Sequence, residues 1–408
     1  MLLTTLQRLI RVGQLTLIDA QGTTHVFGRP PGPEVTIRLA DRRLLWKLAL
    51  LPDPTLGEAV MDGRLIVERG SIYDLVDLCA ANVASAMPGL VPKLVYAGDL
   101  LLRRLHQFNP VGRSRQNVAH HYDLDGRLYD LFLDRDRQYS CAYFVRPGMD
   151  LDEAQAAKKR HIAAKLLVRP GMRVLDIGSG WGGLALTLAA DYDCDVTGLT
   201  LSREQHAYAT ARAARAGLSD RVRFHLQDYR EINQRFDRIV SVGMLEHVGV
   251  NHLGGYFARV SDLLEPNGVA VIHSIGRMAG PAATSRWIRK YIFPGGYIPA
   301  LSEVTSAVER SGMWATDIEI LRLHYAMTLR QWRERFLAHR DIVASRLDER
   351  FCRMWEFYLA ASEAFFRRQD GMVFQIQLAR RRDAVPLTRD YMTEAERAAL
   401  RLEPVAAE

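Results

Sequence analysis

The stretch LDIGSGWGG, residues 175–183, constrains what this chain can fold into more than any other. It closes the apolar run MRVLDIG (172–178) and opens a helical one, so it reads as a tight strand-to-helix turn. Glycines at 178 and 180 let the backbone approach a ligand at a helix N-terminus. Short apolar strands recur after it: CDVTGLT (194–200), RVRFHLQ (221–227), DRIVSVG (237–243) and GVAVIHSI (268–275), with helical segments between them. Strands alternating with helices imply a parallel sheet covered on both faces. Two later strands, near 316–323 and 373–380, would complete seven, with the helical stretch 327–369 inserted between them.

Two ligands compete for such a loop. A dinucleotide wants Gly-x-Gly-x-x-Gly, and Gly183 stands where the third glycine belongs. It also wants an acid at the end of the second strand, where this chain has Thr200 and Ser202. An acid just before the loop, Asp176, fits S-adenosylmethionine (AdoMet) instead, with the carboxylate holding the methionine amino end. LQDYRE then puts Gln227 and Asp228 at the end of the third strand, beside the adenine.

Composition narrows the partners. No apolar run approaches the roughly 18 residues that span a bilayer, and Arg8 and Arg11 interrupt the apolar start, a poor signal peptide; the expectation is a cytoplasmic protein. Cys79, Cys141, Cys194 and Cys352 are far apart, so neither a metal site nor a disulfide framework is expected. The net charge of +7 suits either a solvated basic surface or an anionic partner. The cations are dispersed, without the Arg-rich tail common in nucleic-acid binders, so a lipid surface is favoured over nucleic acid.

Along the chain, residues 1–95 read as a small α+β domain. GQLTLIDAQGTTHVFG is a hairpin around Gln21-Gly22, EVTIRLAD is a strand, and LGEAVMDGRLIVERGSIYDLVDLCAANV is helix, turn, strand and helix. Residues 96–116 read as a linker, 117–395 as the catalytic domain and 396–408 as a tail.

With QYSCAYF, GLTLSREQ, QDYRE, DRIVSVGMLEHVG, HSIG and KYIFPGGYIP in order, the chain resembles the cyclopropane-fatty-acyl-phospholipid synthases and, more distantly, the mycolic acid cyclopropane synthases. The resemblance runs over about 117–390, and more loosely at GEAVMDGRLIVE in the front domain. It implies a class I AdoMet-dependent methyltransferase: an α/β, Rossmann-like seven-stranded sheet with a helical insert. The reaction it implies adds the AdoMet methyl to a cis double bond of a phospholipid acyl chain. A base, inferred in the family to be bicarbonate, then removes a proton as the ring closes.

Carried over by position, the resemblance gives Glu246 the bicarbonate hydroxyl, His273 and Tyr325 side-chain donors, and Cys141 and Ile275 backbone N–H donors. Cys141 then needs no nucleophilic role. Tyr139 and Ser140 would cover the methionine end of AdoMet, and Thr200 and Gln205 would lie along its ribose and adenine edge. Arg289 and Lys290, in SRWIRKYIFPGGYIP, would sit near lipid phosphates, His120 and His121 would support structure, and a homodimer at the membrane surface is expected. Ser179 and Ser362 stand where some relatives carry cysteine. Rival readings are a methyl- or methylene-branching enzyme, a methyltransferase for a non-lipid acceptor, and a non-catalytic lipid binder.

Overall fold

A computed structural model describes residues 2–83, 90–107 and 126–402; His120 and His121 lie outside them. The chain forms two compact units, each assembled from separate segments. One joins Met1–His106 with Ala282–Pro294 and Tyr325–Gly371, and the other joins Gln107–Pro281 with Gly295–His324 and Met372–Glu408. Sequence patterning put the division at a linker over 96–116. Of that stretch, the described part up to residue 106 continues a helix, Leu90–His106.

In the first unit, strands numbered in chain order form a four-stranded sheet, β2-β1-β3-β4. β1 (Gly13–Ile18) and β2 (Thr24–Arg29) make the expected hairpin, its turn held by Asp19 Oδ1, which accepts from Gln21 and Thr23 N–H at 2.9 Å each. β3 (Glu34–Leu39) runs parallel to β1 and antiparallel to β4 (Leu65–Arg69). The insert belongs here because helix Glu349–Arg368 buries Trp355, Phe357, Tyr358 and Leu359 and packs on helices Pro52–Met61 and Ile72–Val83. Burying two or three aromatic rings outweighs any preference for chain neighbours. Arg368 adds a bidentate pair to Asp77, with both contacts at 2.8 Å. Trp287 lies against Gly57, where a Cβ would come within 2.4 Å of the indole nitrogen.

The second unit carries the seven-stranded sheet β10-β11-β9-β8-β5-β6-β7. Its strands are β5 (Arg173–Ile177), β6 (Asp195–Thr200), β7 (Val222–Leu226), β8 (Phe236–Val242), β9 (Leu264–Arg277), β10 (Trp314–Ile320) and β11 (Gly371–Ala379). All seven fall where the apolar runs placed them. β5 to β9 pair in parallel, and β10 is antiparallel to β11. Adjacent strand residues enter opposite cores. Leu175, Ile239 and Ile272 join Phe257 and Phe374 on one face, while Val174, Val240 and Val271 join Leu188 and Ala209 on the other. That period-2 split is the physical content of a sheet buried on both sides. The register sets Asp176 opposite Gly198 and Val240, and Val242 opposite His273, so the candidate residues collect at the carboxyl ends of the parallel strands.

Candidate active site

Gly178, Gly180 and Gly182 take φ of 84°, 54° and 83°, a region that suits glycine alone at low cost. The amides of Gly178 and Ser179 donate to Leu199 O at 3.0 and 2.8 Å, tying the loop to the end of β6. Helix Gly183–Tyr192 starts directly after it. Gly183 serves packing: a Cβ there would lie 2.2 Å from Asp136 Oδ2. Asp176 is 2% exposed, and its carboxyl takes no hydrogen bond among the described residues. Burial pushes that carboxyl up to about 7, and Lys158 pulls against the rise. Nothing lies within 4 Å of a Cβ built on Gly180. A glycine loop with open space above it, beside a buried carboxylate lacking a partner, fits the sugar and the cationic methionine end of AdoMet.

Two of the expected AdoMet contacts are already engaged. Thr200 Oγ1 donates to Gln205 Oε1 at 2.9 Å, which leaves the amide nitrogen as the donor end of Gln205. Asp228 accepts from Arg230 Nε at 2.8 Å and Nη2 at 2.7 Å, so both carboxylate oxygens hold an arginine rather than standing open toward an adenine. Gln227 beside it is half-buried.

Glu246 follows β8 in the one-turn helix Leu245–His247 and is 8% exposed. Its Oε1 accepts the Ile275 N–H at 2.6 Å, while its Oε2 is buried without a partner. Sequence reasoning gave that N–H to an anion; here it holds Glu246 instead. Burial pushes the Glu246 carboxyl up to about 7. His273, 2% exposed, lies at the same strand ends. Burial, helped by the cations Lys158 and Lys165, holds its ring well below the usual imidazole range and therefore neutral. Gln375 Nε2 lies 3.1 Å from His273 Nδ1 and donates to it, which fixes the proton on Nε2 and makes that nitrogen the donor. Sequence reasoning missed Gln375. Its signal was a glutamine inside the apolar strand GMVFQIQLA, where a buried amide needs a reason.

Cys141 is 1% exposed and its thiol donates to Ala142 O at 3.3 Å, a setting for an inert buried thiol. The preceding segment is gripped by helix Leu151–Leu166. Gln155 Nε2 donates to Ser140 O at 2.9 Å, and Lys158 Nζ donates to Ser140 Oγ at 2.8 Å. Tyr139 packs edge-on to Tyr129 and Phe132. Tyr325 belongs to the first unit, where it is buried against Phe366 at 4.7 Å. Lys290, also there, donates to Glu58 Oε1 at 2.7 Å.

The comparisons with known proteins agree with one another. A family model described as mycolic acid cyclopropane synthetase matches residues 111–376. The chain is 40% identical over 329 residues to the cyclopropane-fatty-acyl-phospholipid synthase of Escherichia coli K12, covering 80% of this chain and 82% of that one. It is 40% identical over 394 residues to the tuberculostearic acid methyltransferase UfaA1 of Mycobacterium tuberculosis, covering 90% and 88% respectively. Among solved structures, the mycolic acid cyclopropane synthase CmaA1 complexed with SAH and CTAB matches with a TM-score of 0.63 and 32% identity, over 66% of this chain and 99% of that one.

The chain belongs to the mycolic acid cyclopropane synthetase family.

It is an AdoMet-dependent methyltransferase with the class I fold. Family membership extends to AdoMet-dependent modification of lipids. The solved relative is matched along nearly its whole length by two thirds of this chain, so about a third of this chain has no counterpart there. No described helix is long and apolar enough to cross a membrane.

Proposed function

We propose that this enzyme transfers the AdoMet methyl carbon to the cis double bond of an unsaturated phospholipid acyl chain and closes a cyclopropane ring, with bicarbonate as the base. The observation that carries this reading is Glu246 Oε2, a buried acceptor without a partner, beside a neutral His273 whose Nε2 is the donor. A buried acceptor and a buried donor at the same strand ends suit a small hydroxylated anion. Bound AdoMet supplies an electrophilic methyl. Asp176 and the glycine loop would hold it, Glu246 and His273 would orient the bicarbonate, and Ile275 acts through Glu246 by fixing its carboxylate. Cys141 would add its backbone N–H to the anion site. The apolar packing around these groups keeps out water that would quench a cationic acyl chain.

The front domain, residues 1–95, docks on anionic lipid in this reading. Helix Arg42–Leu50 buries Leu44 and exposes Arg42, Arg43, Trp46, Lys47 and Leu50. Trp46 is 59% exposed, and none of these three cations forms an ion pair among the described residues. Cations around an exposed indole suit a headgroup layer. A second reading, methyl branching without ring closure, is favoured by the 40% identity to a tuberculostearic acid methyltransferase.

The test is mass spectrometry of acyl chains after the purified protein meets AdoMet and vesicles of cis-unsaturated phospholipid. A gain of one CH₂ with loss of the double bond supports the cyclopropane. A gain with the double bond retained means a methylated or branched product. No gain on any lipid sinks the phospholipid reading.

A further inference from the structure

Lys158 is 0% exposed, on a helix whose N-terminus is set by a capping box between Asp150 and Glu153. Its ammonium donates to Gln138 Oε1 at 2.6 Å and Ser140 Oγ at 2.8 Å. No carboxylate hydrogen-bonds it among the described residues. A buried cation held only by neutral acceptors is costly unless negative charge lies near it. Three acids face it electrostatically: Asp134, Asp136 and Asp176. Lys159 and Cys141 are the other titratable groups that act on it.

Two of those acids are satisfied elsewhere. Asp136 is paired with Lys159 and Arg212. Asp134 accepts the N–H groups of Asp136 and Gln138 at 3.0 and 2.8 Å. Among the described residues, Asp176 alone of the three has no hydrogen bond. The same ammonium also helps keep His273 neutral. One side chain thus touches the segment that carries Tyr139, Ser140 and Cys141, and acts on both sides of the site.

We propose that Lys158 is a positioning residue for AdoMet, anchoring the Ser140 hydroxyl and supplying the buried positive charge that Asp176 faces. This rests on the reading of Asp176 and Ser140 as AdoMet contacts. Asp176 must be ionised to hold the methionine ammonium. Burial opposes that ionisation, and Lys158, itself brought down to about 8 by burial, favours it while it keeps its proton, so AdoMet affinity should rise with pH as Asp176 ionises, near 7. Without the ammonium, the rise should come at higher pH.

Calorimetric titration of the full chain with AdoMet, from about pH 6 to 9, reads this directly. In Lys158→Met the midpoint of the affinity rise should move up by about one pH unit or more, with affinity near pH 7 down about tenfold. Lys158→Gln keeps a donor for Ser140 and tolerates burial better. It should show the same movement with a smaller loss, and it serves if the methionine variant fails to fold. In an Asp176→Asn background the Lys158 substitutions should no longer move the profile. An equal loss at every pH would reduce Lys158 to a packing role, and an unmoved midpoint with unchanged affinity would overturn the proposal. If Asp176→Asn itself binds AdoMet like the wild type, the reading of the site fails rather than the role of Lys158.

Discussion

Glu246→Gln should make this enzyme slower and more stable at once. The substitution keeps Oε1 as the acceptor of the Ile275 N–H at 2.6 Å and replaces the lone Oε2 acceptor with a donor. Turnover should fall by about 10²–10⁴, the reach of positioned acid–base machinery, while AdoMet affinity stays near that of the wild type. Stability should change in the opposite direction. Burial carries the Glu246 carboxyl from its ordinary 4.5 up to about 7. A carboxyl raised in the folded state favours the protonated form, so ionisation destabilises the fold. That cost is absent below 4.5, grows as the pH rises to about 7, and is complete above it. At about 1.4 kcal/mol per pH unit, it amounts to about 3 kcal/mol. Denaturant titrations at about pH 4 and pH 8 check it: the variant should match the wild type at the lower pH and exceed it by up to about 3 kcal/mol at the higher. A variant equally destabilised at both pH values would refute the reasoning, because it would mean that the carboxylate is satisfied rather than poised.

Gln375→Leu should free His273 Nδ1 and lower turnover about fivefold to tenfold, the equivalent of one neutral hydrogen bond; single-turnover kinetics would show it, with AdoMet binding unmoved. Cys141→Ser should remain substantially active, and complete loss in a folded variant would revive a nucleophilic thiol. Arg42→Glu with Trp46→Glu should weaken co-sedimentation with anionic vesicles by about tenfold or more, leaving activity on detergent-dispersed substrate intact. Equal vesicle binding by the double variant would remove helix Arg42–Leu50 from the docking surface.

Much of this could be read from residues in order. The glycine loop and seven apolar runs located the sheet, because a strand buried on both faces must be continuously apolar and its period is local. Glu246 and His273 stood out because a charged or titratable side chain amid apolar neighbours is costly without a purpose. Gln155 and Lys158 were also visible in principle, as polar residues one helical turn apart in EAQAAKKRHIAAK. Nothing local reveals that this face of the helix is buried.

Other features had no local signature. That Asp228 binds Arg230, or that Ile275 gives its N–H to Glu246 rather than keeping it open, depends on rotamers and loop positions. The insert's place beside the front domain depends on where helix Glu349–Arg368 can bury its aromatic rings.

The sequence by itself determined the sheet, the AdoMet loop and the residue types of the site, because periodicity, glycine conformation and the cost of burying charge act within a few residues. Only the tertiary structure decided which donor meets which acceptor and which segments share a core. Those choices are made between residues as far apart as His273 and Gln375, or Asp77 and Arg368, and hydrogen bonds and packing depend on distances that neighbours along the chain do not set.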